Sequence, residues 1–107
     1  MGKKFYNKLI RDRIPEIIHA SGSQYEITVM DDVEYIQALR LKLVEEAQEA
    51  QQANLEDLPT ELADIQEVIT TLMTVCNISP EQVNLLQINR RKERGAFSKK
   101  YKLIWSG

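Results

Sequence analysis

Glu45-Glu46-Ala47-Gln48-Glu49, taken with its echo Glu61-Leu62-Ala63-Asp64, is the part of the sequence that decides the fold. Glu46 and Glu49 are spaced i, i+3, and so are Glu61 and Asp64. On an α-helix that spacing places two side chains on one side, about one turn apart. Two such turns facing each other across a bundle bring four carboxylates to one point. Negative groups that close repel one another unless a cation lies between them. Ligand sets made only of oxygen suit a hard ion, Mg2+ or Mn2+.

The neighbouring residues carry helical periodicity. At roughly 100° per residue, Ile36, Leu39, Leu43, Ala47 and Ala50 share one face of a first long helix, with Glu46 inside or beside that face and Glu49 at its edge. On a second helix Leu62, Ile65, Ile69, Leu72 and Met73 form the apolar face, with Glu61 at its margin beside Val68 and Leu72, and Asp64 just outside. Carboxylates so near a core face are rarely buried unless they are paired or bind metal.

Helix signals divide the rest of the chain. Asp31 or Asp32 is an N-cap for a helix running to about Ala53. Residues 54–58 form a turn, Asp57 caps the next helix, and Pro59 sits in its first turn; this helix runs to about Cys76. So short a connection makes the two helices antiparallel neighbours, which sets the two acidic turns side by side. Ser79-Pro80-Glu81-Gln82 starts a last helix, with Gln82 as capping-box partner, and Gly95 ends it. Before the long helices, residues 5–20 form a helical segment broken at Pro15 and ended by Gly22. Residues 24–30 alternate as a short strand or extended link, for which Tyr101–Trp105 is the available partner.

Length and composition exclude several classes. A chain of 107 residues is one domain with a modest core. A net charge of −2 gives no bulk attraction to a nucleic-acid polymer. The single cysteine, Cys76, cannot form an intramolecular disulfide; it fits a cytoplasmic location and reads as a small core residue. No apolar run reaches the ~20 residues of a membrane span. Met1-Gly2-Lys3-Lys4 has the charge of a signal peptide but no apolar stretch after it, and the position where myristoylation needs Ser or Thr holds Tyr6. His19, the only histidine, has no partner at ligand spacing and belongs at a surface or helix end.

The EExxE and ExxD pair on consecutive helices resembles the all-α nucleoside triphosphate pyrophosphohydrolase superfamily, which includes MazG-like enzymes, dUTPase/dCTPase-type enzymes and phosphoribosyl-ATP pyrophosphohydrolase. Tyr6-Asn7-Lys8-Leu9-Ile10-Arg11-Asp12-Arg13-Ile14-Pro15 looks like the opening of a small single-domain MazG-like branch. Lys92-Glu93-Arg94-Gly95-Ala96-Phe97 looks like that branch's ending, with Ala96 where a second glycine is expected. The resemblance spans nearly the whole chain. It implies an all-α, MazG-like helical bundle completed by homo-oligomerisation to a dimer or tetramer, with a minor extended N-terminal link and C-terminal tail. It also implies Mg2+-dependent cleavage of a nucleoside triphosphate between the α and β phosphates, in the service of cleaning the nucleotide pool.

On that reading Glu46, Glu49, Glu61 and Asp64 hold the metal. Glu45, beside them but turned off their face, orients a ligand or serves as base for the attacking water, and Glu46 is the second catalytic carboxylate. Phosphates need cations on the side away from the metal. The last helix offers a cluster, Arg90, Arg91, Lys92 and Arg94, with Asn89 and Lys92 on one stripe. Lys92, Arg94 and Asn89 are therefore expected at the substrate, with Lys8 and Arg11 of the N-terminal arm as further phosphate ligands. Phe97 packs under a base or closes the core. Two rivals use the same residues without turnover: a helical interaction protein whose acidic turns dock a partner, and a nucleotide sensor. A di-iron bundle is disfavoured, because it wants Glu-x-x-His on two helices. The base and sugar are not specified by the sequence.

Overall fold

The computed structural model describes residues 2–107. Met1, the first residue of the Met1-Gly2-Lys3-Lys4 stretch, lies outside the described residues. The described residues are all-α: α1 (Ile14–Ala20), α2 (Asp32–Gln52), α3 (Leu58–Val75) and α4 (Pro80–Arg94), with no strand.

The caps explain most boundaries. Asp31 stays extended, and its carboxylate accepts from the Glu34 N–H at 2.8 Å, which starts α2. Ser79 does the same for α4, its hydroxyl accepting from the Gln82 N–H at 3.1 Å. Gly95, at φ 82°, stops α4 in a conformation that side-chain-bearing residues resist. Asp57 does not cap α3, contrary to expectation. Its backbone is already helical, and the turn is tied instead by Asn54, whose Oδ1 accepts from the Asp57 N–H at 3.0 Å.

One expectation is corrected and one alternative is decided. Residues before Arg13 are not helical; α1 begins only at Ile14, with Pro15 in its first turn. Residues 24–30 form a link and not a strand, since Tyr101–Trp105 lies in an exposed, irregular tail and supplies no ladder.

α2 and α3 pack as an antiparallel hairpin, and theirs is the only extensive helix–helix contact among the described residues. Its apolar centre is small: Leu39 and Val68 are the buried hydrophobic residues. The face α3 turns toward α2 is the one carrying Val68 and Glu61, while Leu62 and Ile69 point outward, 50% and 38% exposed. On α2 the buried pair is Leu39 and Glu46, and Ala47 is exposed. Cys76, placed in the core from sequence, caps the end of α3 and is exposed. Phe97 neither closes the core nor covers a base within the chain; it is 99% exposed. His19 falls in the last turn of α1, exposed, as a helix-end residue. No helix among the described residues is long and apolar enough to cross a membrane.

Candidate metal and phosphate site

The hairpin converts sequence spacing into a cluster. One carboxylate oxygen from each of Glu46, Glu61 and Asp64 lies within 4.8 Å of the other two. Glu46 comes from the second-last turn of α2 and the other two from the first turns of α3, so the hairpin turn sets their separation. Glu46 is buried, 8% exposed, on the same face as Leu39. Glu49 is exposed and stands outside that trio, yet its charge acts on both Glu46 and Glu61.

Burial, and then repulsion from Glu49, hold the Glu46 carboxyl above the ordinary range. Glu61 is raised for the same reasons, with Asp64 adding to the repulsion. Glu46 Oε2 and Glu61 Oε2 are buried without a hydrogen-bond partner among the described residues. Buried acceptors without donors are costly, and a cation held between the two helices would satisfy both. All the donors are hard oxygens, so the residues fit Mg2+ or Mn2+.

Cations flank this cluster, two from the N-terminal arm and one from α2. Lys8 Nζ donates to Glu45 Oε1 at 3.0 Å, and Arg11 Nη2 donates to Asp64 Oδ1 at 2.8 Å. The N-terminal arm therefore lies across both long helices. Lys42, which sequence reasoning missed, stands 3.7 Å from both Glu45 and Glu46. Its signal was present: it precedes Glu45 and Glu46 by three and four residues, the spacing of helical ion pairs. The bond from Lys8 holds the Glu45 carboxyl below its usual range, and Glu45 in turn raises Lys8. A carboxylate held low is a weaker base, so this geometry makes Glu45 an anchor for Lys8 and Lys42.

Asn89, Lys92 and Arg94, expected at the substrate, are exposed on α4 and make no ion pair or side-chain hydrogen bond among the described residues. Within one chain the structure joins Lys8 and Arg11 to the carboxylates and leaves the α4 cations apart.

Comparison with known proteins adds little. An uncharacterized protein of Mycolicibacterium smegmatis is 46% identical over 54 residues. That match covers 50% of this chain and 55% of the relative, so the chain spans about half the length of the curated relative it matches. No protein-family model matches the chain, and no solved structure matches it.

The Arg11–Asp64 pair gives a prediction of its own. Arg11 neutralises a carboxylate that a metal ion would use. Removing it in Arg11→Ala should tighten Mn2+ binding by up to about fivefold, the scale of an exposed ion pair, and weaken triphosphate binding in the presence of metal. Calorimetric titration with each ligand measures both signs. Weaker Mn2+ binding in the variant would show that Arg11 orients Asp64 for the metal and does not compete with it.

Proposed function

We propose that the chain is a Mg2+-dependent nucleoside triphosphate pyrophosphohydrolase of the all-α, MazG-like type. The reading rests on one observation: Glu46, Glu61 and Asp64 converge within 4.8 Å, with two buried, unpartnered oxygens, flanked by cations. A docking surface has no need to bury acceptors without donors. A site that takes a polyanion through a metal needs carboxylates at the centre and cations at the rim.

Glu46, Glu61 and Asp64 would hold Mg2+, with Glu49 at the open side. The ion would supply charge neutralisation at the phosphates and orientation of the leaving group. The chain's own cations do the remaining electrostatic work. Lys8, Arg11 and Lys42 sit where they can take the outer phosphates as these displace their present carboxylate partners. The reaction adds water across the Pα–O–Pβ linkage. The water oxygen bonds to one phosphorus, the bridging P–O bond breaks, and the bridging oxygen leaves on the other phosphate. The water's protons pass to a carboxylate base and on to solvent, and the products are a nucleoside monophosphate and pyrophosphate.

A second copy of the chain belongs to this reading. Leu62 and Ile69 on α3, and Val83, Leu85, Leu86 and Ile88 on α4, are exposed. A homodimer or dimer of dimers would cover them and could bring Lys92 and Arg94 of α4 toward the carboxylates of a partner.

Purified protein given Mg2+ and a panel of normal, deoxy and damaged nucleoside triphosphates should release pyrophosphate and monophosphate in equal amounts from at least one member. Orthophosphate and diphosphate as the products would move the reading to a different phosphoanhydride hydrolase. Tight metal-dependent binding without any product would leave the nucleotide-sensing alternative in its place.

A further inference from the structure

A groove of about 270 Å³ lies against the outer side of α2, beside the carboxylate cluster. Its floor is Glu34, Gln37, Ala38, Leu41, Lys42 and Glu45, residues recurring at helical spacing along one stripe. Its roof is the N-terminal arm at Asn7, Lys8 and Leu9, and Met30 closes one end. Asn7, at φ 46°, takes the left-handed conformation that asparagine tolerates better than most residues, and the bend lays Lys8 and Leu9 over the helix.

The two ends of the groove differ chemically. One end is Lys8, Lys42 and Glu45, already joined to the metal cluster through the Lys42 contacts with Glu45 and Glu46. The rest of the lining is largely apolar, with Leu9, Ala38, Leu41 and Met30; Asn7 and Gln37 each carry both donors and acceptors, and the Glu34 carboxylate adds an acceptor at the far end of the floor. Along α2 the floor covers roughly 16 Å at 1.5 Å per residue. An extended nucleotide with its triphosphate at the cluster can lay its sugar and base along that length, and inorganic triphosphate cannot. The volume is just under the range of about 300–1,000 Å³ that takes drug-sized ligands, which suits a nucleoside and little more. A few convergent polar groups on an apolar wall are the usual make-up of such a subsite.

We propose that this groove binds the nucleoside half of the substrate, with the triphosphate toward Lys8 and Lys42 and the base toward Gln37, Asn7 and Met30. The assignment rests on the pyrophosphohydrolase reading for the identity of the ligand, and it adds that the arm and α2 of a single chain hold the nucleoside.

Ala38→Trp fills the groove and leaves Glu46, Glu61 and Asp64, which do not line it, in place. Titration calorimetry in Mg2+ is run with two probes: α,β-imido nucleoside triphosphates, which are not cleaved at that linkage, and inorganic triphosphate. The expected result is at least about a tenfold loss of affinity for the best imido nucleotide, equivalent to about 1.4 kcal/mol, with less than about a twofold change for inorganic triphosphate and for Mn2+. If the tryptophan variant fails to fold by circular dichroism, Gln37→Ala, which is on the exposed side of α2, carries the same comparison through loss of the amide. Unchanged nucleotide affinity in a folded variant overturns the assignment, and so does a variant whose molar mass changes while nucleotide affinity does not, which makes the groove a contact between copies. Wild-type protein that binds imido nucleotide no better than inorganic triphosphate also overturns it, while leaving phosphoanhydride hydrolysis standing. Pyrophosphate release by the wild-type protein tests that underlying reading separately.

Discussion

Glu46→Gln should abolish Mn2+ binding and cut triphosphate turnover by about a hundredfold or more, and yet raise the melting temperature of the protein in EDTA. The two effects have one cause. Glu46 is 8% exposed, with one buried oxygen unpartnered and Glu49, Glu61 and Asp64 close by. In water without metal that negative charge is desolvated and repelled, and Lys42 at 3.7 Å offsets only part of this. An amide of the same shape removes the charge and can donate to the neighbouring carboxylates. If relief of one buried, unpartnered charge is worth about 1 kcal/mol, the melting temperature rises by about 4–8 °C in a domain of this size. A variant that is less stable in EDTA would mean that Glu46 is held by its surroundings as a structural acceptor.

The pH dependence follows from the same residues. Glu46 and Glu61 have folded pKa values raised above their unfolded ones. The folded state therefore holds their protons more tightly, and their contribution to stability is fully present below the ordinary carboxylate range. It is lost as pH rises through the raised values. Glu45 runs the other way: its pKa is lowered by Lys8, so its contribution is present above the ordinary range and is lost as pH falls through the lowered value. In EDTA the melting temperature should accordingly drop on going from the ordinary carboxylate range toward neutrality, and Glu46→Gln should flatten that slope. Saturating Mg2+ should invert it, because metal ligands must be deprotonated to bind.

Much of this was legible in the sequence because it rests on local signals. Asp31, Ser79, Pro80 and Gly95 fixed the helix ends through capping and backbone geometry, which need no knowledge of tertiary structure. The i, i+3 carboxylate pairs and the short turn at residues 54–57 were enough to bring Glu46, Glu61 and Asp64 together. The failures are of a different kind. Which face of α3 meets α2 was ambiguous, because Leu62, Ile65, Val68, Ile69 and Leu72 wrap most of the helix, and periodicity cannot choose between two apolar sides. The choice of Val68 over Leu62 and Ile69 is what turns Glu61 inward. Lys8 and Arg11 lie in a segment without regular structure, their partners are 37 and 53 residues away on α2 and α3, and no local rule reaches that far. Arg90–Arg94 drew attention as a charge run, whereas the cations that touch the carboxylates are isolated in sequence.

On the proposed dimeric reading, Leu62→Glu combined with Ile69→Glu should give a monomer with no cooperative melting transition, or one tens of degrees lower than the wild type. The described chain exposes 10185 Å². A compact monomer of 12.4 kDa would expose about 6,100 Å² on the usual scaling with mass. The excess of about 4,000 Å² is too large to assign to loops. Its radius of gyration is 18.5 Å, against about 13 Å for a compact domain of 100 residues. Leu39 and Val68 are its buried apolar side chains. At roughly 1.5–3 kcal/mol for each fully buried aliphatic side chain, two such residues, with the other large apolar side chains only half-buried or exposed, fall short of offsetting the ordering of a 107-residue chain. The missing burial is available on the outer face of α3, at Leu62 and Ile69, and along α4, at Val83, Leu85, Leu86 and Ile88. Helices that are apolar on two sides are buried on two sides. On the proposed reading a second copy would supply the complementary surface through a symmetric interface. Two glutamates on the outer face of α3 place charge in that interface while leaving the α2–α3 contact at Leu39 and Val68 intact. Light scattering coupled to gel filtration reads the molar mass, and calorimetry reads the transition. A wild-type species with the mass of one chain and a cooperative transition would show that α1, α4 and the tail fold back onto the hairpin, and that the exposed faces need no partner.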